Sequence, residues 1–192
     1  MLSSRSMRPN TRRANTGLNV TMTLPATPVI TTAEAKTALR VDFTDDDDFI
    51  DALIESATLY LQKKLNRAFI SQTVIAEWDQ VGYEVPLPYA PVSAVSEVAV
   101  VDYDGTTTAL TSGTGYTFRN GIVRVNTNLG LKVTYTAGYG ATSASVPQPI
   151  RTAIERMVIN LYDRRDDTVE NTNIEEIAMN SLALVQPYMN YK

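Results

Sequence analysis

The chain has 192 residues, 44% of them hydrophobic and 20% charged, and it contains neither cysteine nor histidine. This length suits one domain, or one domain with an insert, and it buries roughly 70% of its unfolded surface without a disulfide or metal staple. Without cysteine there are no disulfides, thiolate nucleophiles or Cys-ligated metal sites. Without histidine the Ser-His-Asp triad, the commonest general base and the imidazole metal ligand are excluded.

The formal net charge of −4 is unevenly placed. Residues 1–24 carry Arg5, Arg8, Arg12 and Arg13 and no acid, while the rest of the chain holds 13 Lys/Arg against 21 Asp/Glu. A basic arm of +4 therefore precedes a body of −8. An acidic body repels phosphate, which argues against duplex DNA as a gripped ligand. The arm suits contact with nucleic acid or with an acidic protein surface, or it is a solvated leader. It lacks the apolar core of a secretory signal, and no stretch approaches the length of a membrane span. A soluble, unexported protein without membrane contact is expected. Met22 is an alternative start, because the first folded element is expected only after it.

That first element is read at TTAEAKTALRVD, where Thr31 and Glu34 have capping-box spacing. A second helix follows the acidic TDDDD run, with Ile50, Leu53, Ile54, Ala57, Leu61 and Leu65 on one face. Its acids sit at the N-terminus and Lys63, Lys64 and Arg67 at the C-terminus, as the helix dipole favours. The Asp run lacks the alternating ligands, central Gly and terminal Glu of a calcium loop, so capping and solvation are expected, not metal.

From residue 69 the period becomes two. Strands are predicted over 70–78, 95–103, 116–119, 122–125 and 131–136, with Gln72, Val74, Ala76 and Trp78 on one side of the first. Asp104-Gly105 and Asn120-Gly121 are turn pairs, the second the stronger hairpin signal. Pro86, Pro88 and Pro91 argue against a central strand between the first two. One antiparallel sheet of four to six strands is expected. After AGYGA the helical period returns, with Pro147 and Pro149 near a helix start and Ile150, Ile154, Met157, Val158, Leu161 and Tyr162 as its stripe. The helix ends in DRRDD. A last helix is predicted from about Asn173 through Ile174, Ile177, Ala178 and Leu182 to Pro187.

The fold class is α+β: a small helical bundle, two N-terminal and two C-terminal helices, with an inserted antiparallel sheet. Its domain organisation is a basic arm over 1–24 and a folded body over 25–192. Within the body lie helical parts 31–68 and 146–187, a β insert 69–140 and a C-terminal tail 187–192.

Chemistry is sparse. GYG (Gly138–Gly140) lacks the spacing of a phosphate loop and reads as a tight exit from the sheet. There is no G-x-S-x-G elbow, and no carboxylate pair stands out. No catalytic residue, metal or cofactor is assigned, and the protein is not expected to be an enzyme. Arg164 and Arg165 are read as an anion clamp, a solvated helix end or intersubunit ion pairs. Tyr188, Met189 and Tyr191 lie beyond any core period and read as interface anchors, or as a tail folded back on its own domain.

In order and spacing, TAEAKTALRVD, DDDFIDALIESA, LPYAPVSAV, VDYDG, VTYTAGYG, VPQPI, LYDRRD and LVQPY resemble the phage gp6-like head–tail connector (adaptor) family over about residues 29–190. The arm falls outside the pattern. The resemblance implies a helical bundle with a β insert. It also implies a virion-neck ring, usually of twelve subunits, assembled in the host cytoplasm. Such a ring sits under the portal, extends the channel for passing genomic DNA without sequence-specific binding, and docks the stopper or tail-completion protein. It implies portal binding through the C-terminal segment, here Leu184, Pro187, Tyr188, Met189 and Tyr191. Two alternatives remain: another neck component, such as a stopper, and a nucleic-acid-binding accessory protein that uses the arm.

Overall fold

The computed structural model describes residues 15–163 and 182–189. They fall into two compact units, neither of them a contiguous stretch of chain. One holds the described residues up to Thr23, together with Thr73–Pro88 and Val92–Thr136. The other holds Leu24–Gln72, Tyr89–Pro91 and the described residues from Ala137 onward. The first is built from strands and the second from helices, so the α+β reading stands.

In the helical unit, α1 (Thr32–Leu39) opens with the expected capping box. The Glu34 amide donates to Thr31 Oγ1 at 3.2 Å, and the Thr31 amide donates to Glu34 Oε2 at 2.8 Å. These bonds satisfy two helix-end donors that otherwise lack a partner. The Thr31 amide, with help from Arg151, holds the Glu34 carboxyl below its ordinary range against a smaller opposing effect of burial. Helix α2 (Asp47–Leu65) buries Ile50, Ile54, Ala57, Leu61 and Leu65, and Leu53 packs partly buried beside them. It stops at Asn66, which is left-handed with φ 51°.

Helix α3 (Gln148–Asp163) starts beside its prolines and buries Ile150, Ala153, Ile154 and Val158. Its predicted stripe breaks at Leu161, which is 44% exposed. The Arg151–Glu34 ion pair at 2.6 Å ties α3 to α1, and Lys36–Asp47 at 2.7 Å ties α1 to α2. The Asp run does less capping than expected. Asp46 is the N-cap of α2 but makes no side-chain cap bond. Its carboxylate instead accepts the Tyr162 hydroxyl from α3 at 2.6 Å.

The strand unit contains two sheets where one was expected. A five-stranded sheet runs β1 (Asn19–Met22), β2 (Gln72–Trp78), β8 (Gly130–Ala137), β4 (Val92–Val101), β5 (Thr107–Ala109). A three-stranded sheet runs β3 (Glu84–Pro86), β7 (Ile122–Val125), β6 (Tyr116–Arg119). Gln72, Val74, Ala76 and Trp78 are all buried, as the alternation required. Strand β3 carries Pro86 but lies at a sheet edge, where a missing N–H is tolerated. The β6–β7 hairpin turns at Asn120-Gly121, both with positive φ. At the centre of this unit Tyr135 is fully buried, and its hydroxyl donates to the Pro88 carbonyl at 2.6 Å.

Strand β1 corrects the expectation that folding begins at Thr31. Asn19–Met22 pairs with Glu77–Val74 of β2, so Met22 is already inside the sheet. Its sequence is too short and too exposed to show a period, and only its partner strand reveals it. Strands β3 and β5, three residues each, escaped prediction for the same reason. Most of the predicted last helix lies outside the described residues. Leu182–Val185 is a helical turn that tightens into a 3-10 turn over Gln186–Tyr188, so Pro187 lies inside the helical stretch and does not end it as expected.

The GYG motif is the expected tight exit from the sheet. Gly138 has φ 137° and lies so close to the neighbouring chain that an added Cβ would sit 2.5 Å from the Ser71 nitrogen. Gly121 (φ 74°) has nothing within 4 Å of that position. Gly138→Ala should therefore cost about 3 kcal/mol through overlap with backbone that cannot yield. Gly121→Ala should cost about 1 kcal/mol, for conformation alone. Urea denaturation of the two variants checks the difference, and equal losses would contradict it.

Candidate functional site

The residues singled out by sequence divide by location. Arg5, Arg8, Arg12, Arg13, Arg164, Arg165 and Tyr191 lie outside the described residues. Leu184, Pro187, Tyr188 and Met189 are described, and all belong to the helical unit. Val185 is wholly buried in the core of α2 and α3, and Leu182, Leu184, Tyr188 and Met189 pack partly buried against it. Of the two readings of the tail, the structure thus shows the fold-back for residues 182–189. Gln186 and Pro187 face outward.

A single cation fastens this segment. Arg67 follows the left-handed Asn66, and its Nε donates to the Tyr188 carbonyl. One terminal nitrogen donates to the Tyr139 hydroxyl at 3.2 Å, and the guanidinium carbon stands 6.0 Å from the Tyr139 ring centre. Arginine suits this position because its planar fork donates in two directions while its face meets an aromatic ring. Burial pushes the Tyr139 phenol above its ordinary pKa, against a smaller lowering by Arg67. The hydroxyl therefore stays neutral and accepts from the arginine.

The backbone around this clasp is fixed from three sides. The Ala68 amide donates to Ala90 O at 3.1 Å, Ser71 N to Gly140 O at 2.8 Å, and Tyr139 N to Phe69 O at 2.9 Å. The Tyr89 amide donates to Asn66 Oδ1 at 3.0 Å, and Ala90-Pro91 is cis. Sequence reasoning assigned Arg67 only to the helix dipole. Nothing in the local pattern shows that residues 72 and 121 positions further on supply its partners.

The arrangement around Arg67 offers packing and positioning of the 182–189 segment. No group of three or more acidic residues capable of holding a metal occurs among the described residues. No helix of the described residues is long and apolar enough to cross a membrane.

A helical unit with a β insert between α2 and α3 is the architecture expected of a phage connector. The family model of the phage gp6-like head-tail connector protein matches residues 29–124, and the chain belongs to that family. The match takes in α1, α2 and strands β2 through most of β7; it leaves out β1 and stops before β8, α3 and the Arg67-bound segment. Solved structures extend the likeness of fold. A chain from the neck of an empty gene transfer agent particle, computed with sixfold symmetry, is 18% identical with TM-score 0.72 and covers 91% of this chain and 96% of its own. A chain from the virion of the native particle is 19% identical with TM-score 0.72, covering 90% and 96%. One from the native neck, computed with twelvefold symmetry, is 19% identical with TM-score 0.62, over the same shares. No curated protein matches.

Replacing Arg67 by Ala should release residues 182–189 from the helical unit. The expected cost is about 2 kcal/mol, the scale of a hydrogen bond from a charged donor. Hydrogen exchange at the Val185–Met189 amides should quicken far more than exchange in the β6–β7 hairpin. Uniform acceleration would instead mean that Arg67 supports the whole fold.

Proposed function

We propose that this protein is a structural adaptor in the neck of a tailed phage particle. It forms a ring of twelve copies beneath the portal, continues the DNA channel, and presents the surface on which the stopper or tail-completion protein docks. Assembly takes place in the host cytoplasm, and no reaction is involved. Family membership carries this reading. The gene transfer agent necks with the same fold, solved with sixfold and twelvefold symmetry, support the ring. The −8 charge outside the arm suits a wall past which DNA slides without sticking. Ring closure repeats one heterologous contact, so each copy presents two different patches. The 19-residue α2 and 16-residue α3 favour the adaptor over a mainly β stopper.

The portal is held by the C-terminal segment, with its roles divided. Leu184, Tyr188 and Met189 seat it on the helical unit, while Pro187 and the residues after Met189, Tyr191 among them, reach the portal. This division changes the informative truncation. Deleting residues 181–192 would remove the buried Val185 and open the core. Ending the chain at Met189 leaves it closed.

The purified chain mixed with its portal should give a closed ring at portal stoichiometry by particle mass. Single copies that never close on the portal would overturn the adaptor reading. The chain ending at Met189 should keep its melting temperature and lose portal binding about tenfold or more, the scale of one buried interface aromatic. Full binding by that variant would remove Tyr191 from the contact.

A further inference from the structure

Helix α2 has a second face that the core does not use. Asp48, Asp51 and Glu55 are spaced i, i+3, i+7, so they form one stripe along the helix. Three like charges at this spacing repel one another and cost stability unless a cation meets them. Asp51 and Glu55 form the rim of a groove of about 370 Å³ in the helical unit. Its apolar wall comes from Leu24, Pro25, Pro28 and Leu59, of which Leu24 is 55% exposed. Thr58 also lines it, and its buried hydroxyl has no hydrogen-bond partner among the described residues. The groove thus combines apolar walls, an acidic rim and an unused hydroxyl.

The same chain carries the complementary chemistry. Its first 14 residues contain Arg5, Arg8, Arg12 and Arg13, the apolar Met1, Leu2 and Met7, and no acid. We propose that this groove receives the arginine arm of a second copy of the chain. The inference rests on the ring reading above and names the segment that links one subunit to the next.

The path of β1 favours a second copy over the arm's own groove. The pairing that starts at Thr16–Gln80 keeps one register through β1 to Thr23–Thr73. Eight residues at about 3.3 Å each put roughly 26 Å of strand between the point where the arm leaves and the point where the chain turns toward Leu24. Asn15 fixes the departure point, because its Oδ1 accepts from the Gly82 amide at 2.9 Å. To return along that strand the arm would leave Arg12 and Arg13 beside β1, with only Arg5 and Arg8 of its four arginines far enough along to meet the acidic rim. Running outward, its 14 residues span up to about 46–50 Å, enough to reach a neighbour. Such a contact is heterologous, arm to groove, and repeats around a ring without self-pairing.

A chain without cysteine allows a direct test. Full-length Ser6→Cys chains are mixed with full-length Thr27→Cys chains and oxidised, alone and on the portal, and ring mass is followed in parallel. A mixed disulfide dimer is expected, falling about tenfold when salt is raised from about 0.05 to about 0.5 M. Asp51→Lys with Glu55→Lys in the Thr27→Cys chain should abolish it. Arg8→Glu with Arg12→Glu in the Ser6→Cys chain should restore it. Circular dichroism of each variant confirms that it is folded.

Rings of correct mass without a mixed dimer would overturn the arm placement and leave the ring reading intact. So would a dimer indifferent to the charge reversals, or, in a chain given both Ser6→Cys and Thr27→Cys, a disulfide confined within single chains. DNA retention lost with the arm arginines but unaffected by the groove substitutions would assign the arm to nucleic acid instead. A dimer that forms as expected while no ring closes on the portal would sustain the arm and sink the adaptor reading.

Discussion

The short strip from Asn66 to Ser71 is the constraint around which the helical unit is organised. Ala68 and Phe69 have no exposed surface, and Ile70 almost none. Buried backbone must still satisfy its polar groups, and no helix or long strand is present here to do so. Its partners come from two distant stretches, Tyr89–Ala90 and Tyr139–Gly140. The strip therefore gathers three chain passages at the end of α2. The close approach at Gly138, the left-handed Asn66 and the cis bond before Pro91 all lie within this knot.

The Arg67 clasp extends the same knot to the C-terminal segment. A guanidinium needs several acceptors once it leaves water, and a backbone carbonyl with a phenol supplies them without adding negative charge. The segment is held in two ways, by Val185 in the apolar core and by Arg67 on its backbone. Residues around Pro187 are thereby presented from a fixed base. A tail seated in this manner loses less freedom on meeting a partner than a free one would.

Sequence periodicity made most of the helical unit legible. The α2 stripe, the Thr31–Glu34 box and the Asn120-Gly121 hairpin are encoded within a few residues, where local rules operate. Strands β1, β3 and β5 are three or four residues long and largely exposed, so they exist only through their partners. The division into two sheets was hidden for the same reason, because pairing is non-local. At the candidate site the gap was wider. Tyr188 reads as an anchor from composition, yet what seats it is Arg67, a residue that helix-end statistics had already accounted for.

The two units are interleaved along the chain, and this has a consequence for biosynthesis. The chain passes between them after Thr23, Gln72, Pro88, Pro91 and Thr136. Helices α1 and α2 leave the ribosome long before α3, the helix that covers their apolar side. Until residue 163 has emerged, Ile50, Ile54 and Leu61 have no permanent cover. Contacts this distant form slowly, and exposed apolar surface of this kind invites premature association. Completion of the fold is thus tied to completion of synthesis. A truncated copy lacking its C-terminal part would lack the core itself, and so could not enter a growing assembly as a near-normal subunit.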